Sequence, residues 1–78
     1  MGVYTIIVTT HDNRRLHYRT SSTNFIKCLY KCGTRALPIQ NVLNLSLGEL
    51  IVVEAYLDNP KSCVVIDNYT KKSISLPI

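Results

Sequence analysis

The stretch "RLHYRTS", residues 15–21, constrains this chain more than any other, because its side chains alternate with a period of two. Leu16 and Tyr18 fall on one face of an extended strand, and Arg15, His17 and Arg19 on the other. That is the pattern of a half-buried strand. The β-branched run "GVYTIIVTT" before it reads as a partner strand over residues 3–10. The turn formers of "HDNR" join the two as a hairpin with a short, bulged connection. Val3, Tyr4, Ile6, Ile7 and Val8 use both faces, so the first strand is expected at the centre of a sheet, covered on both sides.

A helix follows the hairpin. Ser22 or Thr23 can cap it, and Phe25, Cys28, Leu29 and Cys32 recur at helical spacing as one apolar stripe. Lys27 and Lys31 form an i,i+4 pair on another side, and Gly33 is a natural left-handed stop. Alone, a helix of about ten residues is marginal, so the Phe25 face must pack on the sheet. Pro38 rules out a long central element across residues 34–48, where "IQNVLNLSL" fits an edge strand, a helical turn or an ordered loop. Leu37, Val42, Leu43 or Leu45 is expected to seal the core there.

Beyond it, "ELIVVEAYL" reads as a strand, "DNPK" as a turn led by Asp58 and Asn59, and "SCVVIDN" as the partner strand. "YTKK" turns again into "SISLPI", a short closing strand with Ile74 and Leu76 facing in and Pro77 confining it to an edge. The expected fold class is α+β: a small, mostly antiparallel β-sheet with one helix packed on one face, in the order β-β-α-(β)-β-β-β. Phe25, Leu29, Ile6, Val53, Val65 and Ile66 are expected to share one core.

With 78 residues the chain is expected to form a single domain, 1–78. Folding at this size removes only about 60% of the chain's surface from water, so each large apolar side chain counts and self-association is a common aid. A homodimer is therefore expected over a monomer. Apolar content of 46% with 18% charged residues excludes a disordered tail. The start "MGVYTIIVTTHD" has no basic n-region, and the apolar run "LIVVEAYL" is broken by Glu54. Residue 6 is Ile where a myristoylation signal needs Ser or Thr. These features point to a cytoplasmic protein with no membrane partner, in which Cys28, Cys32 and Cys63 are free thiols.

Charge is divided unevenly along the chain. Residues 1–39 hold Arg14, Arg15, Arg19, Lys27, Lys31 and Arg35 against Asp12 alone, a net of +5, while residues 40–78 carry a net of −1. If the helix lies beside the first hairpin, these six cations form one basic surface that attracts phosphates whatever the sequence. The first functional expectation is a non-enzymatic module that binds nucleic acid through its basic N-terminal half. The second is a small protein-binding regulator or inhibitor, docking on an acidic protein surface through the same arginines, through an exposed sheet edge, or as a homodimer. Aromatic support is thin: Tyr18 alternates inward, Tyr30 lies beside the helix lysines, and no RNP-like pattern or zinc-finger spacing is present.

Catalytic and metal chemistry find little in the sequence. Cys28, Cys32, Cys63 and His17 could be imagined as zinc ligands, but C-x3-C on an apolar helix face is the pattern of small core fillers. His11 and His17 as bases and Cys63 as nucleophile form no ordered triad. No cofactor is expected. "GVY" at 2–4 and "YRT" at 18–20 resemble the paired motifs that open the GIY-YIG nuclease fold, again a hairpin followed by a helix. Thr20 stands where that family has a glycine, and Lys27 and Lys31 where it has an arginine. Glu54 would have to supply the metal-binding acid that the resemblance implies.

Overall fold

A computed structural model describes residues 3–32, 44–58 and 60–76. A first hairpin, β1 (Tyr4–Thr9) and β2 (Arg15–Thr20), leads into two helices, α1 (Thr23–Cys32) and α2 (Leu47–Leu57). A second hairpin follows, β3 (Ser62–Asp67) and β4 (Ser73–Ser75). All four strands pair antiparallel in one sheet, ordered β2-β1-β3-β4. The hairpins thus meet through β1 and β3 at the centre of the sheet, and β2 and β4 are its edges.

Local chemistry explains both hairpin turns. The Asn13 N–H donates to the Thr10 carbonyl (3.0 Å), and the Thr10 N–H donates to the Arg14 carbonyl (2.9 Å). Asn13 takes the left-handed conformation this requires (φ 65°), which asparagine tolerates better than most residues. In the second turn the Asp67 carboxylate accepts from the Tyr69 N–H (2.9 Å) and the Thr70 N–H (3.3 Å). Its carbonyl accepts from the Lys71 N–H at 2.8 Å. This is an aspartate folding the chain around its own side chain.

The expectation of a single helix is overturned. "ELIVVEAYL" is not a strand but most of α2, giving the order β-β-α-α-β-β. Ser46 is the N-cap: its Oγ accepts from the Glu49 N–H (3.3 Å) and donates to Glu49 Oε1 (3.0 Å). The S-x-x-E spacing at 46–49 is thus a helix start. β-branched residues disfavour a helix by no more than about 0.7 kcal/mol each, which a cap and burial readily outweigh. Val52, Val53 and Tyr56 supply that burial, on one side of the helix. The bracketed strand was expected within residues 34–48, of which 34–43, with Leu37, Val42 and Leu43, are outside the described residues, as is Gly33. Leu45 packs half-buried against the core.

Both helices lie on the same face of the sheet. Ile6, Val8, Cys63 and Val65 project from the strands into a cluster with Phe25, Leu29 and Cys32 of α1 and Val52, Val53 and Tyr56 of α2. Ile66 does not join it: neighbours on a strand point to opposite faces, so Val65 and Ile66 cannot share a core. Within β1, likewise, only Ile6 and Val8 are buried; Thr5, Ile7 and Thr9 are partly exposed on the far face. Among the described residues no element covers that face, contrary to the two-sided cover expected. Leu76 is buried, its N–H donating to the Cys63 carbonyl (2.8 Å), but Ile74 beside it is 55% exposed. Ile74 pairs with Val65 and so shares the helix side, yet lies at the edge strand, beyond the core's cover.

Tyr18 ties the layers together. Its ring meets Phe25 edge-on with centroids 5.8 Å apart, and its hydroxyl lies 3.2 Å from Ser46 Oγ. A Cβ added to Gly48 would lie 2.5 Å from Tyr18 Cε1, so the ring needs a residue without a side chain in the first turn of α2. Gly48→Ala is therefore expected to destabilise the fold by about 1–3 kcal/mol in urea denaturation, although alanine normally favours a helix by about 1 kcal/mol. In a Tyr18→Ala background the same replacement should become neutral or stabilising. A stabilised Gly48→Ala single variant would contradict this packing. Phe25→Ala, at the centre of the same cluster, is expected to cost about 3–5 kcal/mol by the same measurement.

Candidate functional site

The pleat of the sheet sorts polar from apolar residues. Opposite the helices, three rows cross the open face: Arg15, Thr9 and Ser62; then His17, Ile7, Val64 and Ser75; then Arg19, Thr5, Ile66 and Ser73. None of these strand positions carries a carboxylate. Arg15, His17 and Arg19 are exposed along edge strand β2, while Ile7, Val64 and Ile66 form a half-buried aliphatic centre beside them. Around it stand the hydroxyls of Thr5, Thr9, Ser62, Ser73 and Ser75, of which Thr5 Oγ1 donates to Asn68 Oδ1 (3.1 Å). Arg15 also borders a shallow groove of about 300 Å³ on the helix side of the β2 edge, shared with Thr10, Arg14, Leu16, Ile51 and Ala55.

The six cations expected to form one surface are distributed over separate places. Arg15 and Arg19 share the open face. Arg14 lies in the β1–β2 turn, where its Nε is 2.8 Å from Asp12 Oδ2 in a largely exposed ion pair. The Thr10 hydroxyl, together with the Arg14 charge, holds the Asp12 carboxyl below its ordinary value. Much of Arg14's charge is thus answered locally. Lys27 and Lys31 belong to the helix layer, where they line a polar cleft of about 490 Å³ with Asn24, Asn44 and Glu49. Arg35 is outside the described residues.

The fold also adds residues that division of the chain into halves left out. Tyr4 pairs with Thr20 on one side and Asp67 on the other, so the β3–β4 turn stands at the Arg19 end of the sheet. That turn carries Tyr69, 77% exposed, followed by Lys71, while Lys72 lines a groove on the helix side with Tyr4, Ile26 and Tyr30. A tyrosine between a turn-forming Asp-Asn and two lysines was the available signal. It becomes informative only once the two hairpins are known to be neighbours.

Nucleophile and metal chemistry are poorly served. Cys28, Cys32 and Cys63 are free and buried. Burial pushes the Cys28 thiol up, Cys32 to about 12 and Cys63 to about 11. Among the described residues no three His, Cys, Asp or Glu side chains gather to hold a metal ion. Glu54 is exposed on α2, and Tyr18, part of the nuclease-like "YRT", is committed to Phe25 and Ser46. No helix among the described residues is long and apolar enough to cross a membrane.

The two-layer α+β arrangement and its open sheet face thus define the chain's architecture. No family model, no curated protein and no solved structure matches it.

The thiols carry a pH signature. Because burial favours their neutral form, their contribution to stability is complete below the ordinary thiol value of 9.0 and is lost as pH climbs through about 11 and about 12. Denaturant midpoints are expected to fall over that alkaline window, and to fall less in Cys63→Ala measured against its own neutral-pH value. In the native protein at neutral pH, Ellman's reagent should modify the thiols only as fast as the protein opens. Immediate labelling of a thiol would contradict their burial.

Proposed function

We propose that this protein is a non-enzymatic nucleic-acid-binding module acting through the open face of its sheet. The observation that carries the reading is the exposed line of Arg15, His17 and Arg19 on a surface whose strand positions hold no carboxylate. Guanidinium groups bind phosphate oxygens in pairs and keep their charge throughout the physiological range. The neighbouring hydroxyls offer further contacts to phosphate or sugar. No aromatic stands at the strand positions of that face, so backbone contact outweighs base-specific readout. A cytoplasmic setting belongs to the same proposal, supported by three cysteines that are buried and unpaired.

A second reading, docking on an acidic protein or on another copy of this chain, is favoured by the edge strand β4. All three of its residues are exposed, Ile74 among them, and Tyr30 is 40% exposed nearby across a groove that both line. An unpaired edge beside apolar side chains is a template for strand addition.

Fluorescence anisotropy with unrelated oligonucleotides separates the readings. Replacing Arg15 and Arg19 together by alanine should weaken binding at least tenfold at about 50 mM salt while leaving the fold intact, and affinity of the parent should fall steeply toward about 200 mM. Arg14→Ala should have a much smaller effect, since Asp12 already holds that side chain. Absence of binding to any oligonucleotide at the lower salt would remove the nucleic-acid reading. Sedimentation equilibrium tests the self-association within the second reading, for which a dimer at high micromolar concentration is the expected result.

A further inference from the structure

The open face discriminates between forms of nucleic acid. Resting on the reading above, we infer that its ligand is a single strand laid along β2, with successive phosphates against Arg15, His17 and Arg19 and a base at the Arg19 end stacked on Tyr69.

The first argument is spacing. Every second residue of a strand recurs after about 6.6 Å, a repeat close to that of successive phosphates along an extended polynucleotide backbone. Arg15, His17 and Arg19 are three consecutive members of one such series. A side-chain column of this kind can follow one backbone for three phosphates without bending it.

The second argument is what lies beside the column. Ile7, Val64 and Ile66 make the adjoining surface aliphatic, bordered by uncharged hydroxyls. A single strand has unpaired bases, and their faces and edges can rest on such a surface once its phosphates are fixed along β2. A duplex would bring its bases already stacked and paired. Across these same rows it would carry a second anionic backbone, where β1 and β3 offer no cation to receive it.

Tyr69 supplies what the face itself lacks. It is 77% exposed, it stands at the end of the sheet where β2 delivers Arg19, and Lys71 follows it in the same turn. An exposed ring beside cations is a stacking platform for a base of any identity. The arrangement therefore predicts sequence tolerance and a preference for unpaired strands.

The test uses the full chain and end-labelled oligonucleotides of one mixed sequence, presented as a single strand and as a blunt duplex, in anisotropy titrations at about 50 mM salt. The single strand is expected to bind at least tenfold more tightly. Arg15→Ala and Arg19→Ala should each reduce the slope of log affinity against log salt by about 0.7, the value for one phosphate contact on a single strand. Tyr69→Ala should weaken single-strand binding about fivefold or more, with Tyr69→Phe retaining it. Lys27→Ala with Lys31→Ala, in the helix layer, should leave it unchanged. Equal or tighter binding of the duplex would overturn this inference while leaving the nucleic-acid reading standing. So would single-strand binding lost with the helix lysines but kept without Arg15 and Arg19. An unaffected Tyr69→Ala would overturn the stacking placement, and failure of both oligonucleotide forms to bind would overturn the broader reading itself.

Discussion

Tyr18 is the point at which the hairpin, α1 and α2 are made mutually dependent. Its ring edge rests on Phe25 of α1 and its body passes over Gly48 of α2. Its hydroxyl lies on Ser46, whose own proton goes to the Glu49 carboxylate. A hydroxyl has one proton to give, so the Tyr18 proton is directed at Ser46, and the serine serves as acceptor, donor and cap together. An edge strand ordinarily holds its place through one ladder of backbone bonds. Here β2 is also held by a side chain on which the start of α2 relies. The order of the arginines on the reverse side of β2 follows from that anchorage, because alternation fixes them opposite Leu16 and Tyr18.

Charge read along the chain and charge read across the fold differ. The basic N-terminal half is real as a count, but the pleat, the turn and the helix send its members in three directions. Arginines at 15 and 19 stay together because they are two apart in strand periods. The lysines at 27 and 31 stay together because they are one helical turn apart, and α1 packs on the face from which the arginines point away. Meanwhile Lys71, assigned to the acidic half by position, comes to the same end of the sheet as Arg19 because both hairpins enter one sheet, while Lys72 lines the helix-side groove with Tyr4 and Tyr30.

The sequence made the first hairpin, the Phe25 helix and the final hairpin legible, each by a local period or a local turn chemistry. It concealed α2 because "LIVVEAYL" carries strand-forming residues through a segment whose start is written just before it, in Ser46 and Glu49. A run that is apolar nearly all round has no clear period, so length and caps must decide between helix and strand. Ile66 cannot share the core with its neighbour Val65, by the same two-residue period that separates Arg15 from Leu16. On the open face, the arginines were visible from alternation alone. Their freedom from neighbouring carboxylates was not, because it depends on the pairing of β1 with β3.

That central pairing leaves β1 dependent on a strand that comes late in the chain. Ile6 meets Val65 and Val8 meets Cys63 across nearly the whole described chain, whereas the contacts within each hairpin are local. Such distant pairing closes a long loop before it is rewarded, and it slows folding relative to local structure. The first hairpin and α1 can form while one side of β1 still presents unpaired N–H and C=O groups beside exposed Ile6 and Val8. Until β3 arrives, that side is an open sheet edge with an apolar face, available to any other strand, including one from another copy. The last hairpin therefore works as the stopper of the sheet as well as half of its surface. A chain interrupted before Ser62 would expose a middle strand as an edge, with an aggregation liability the intact fold conceals.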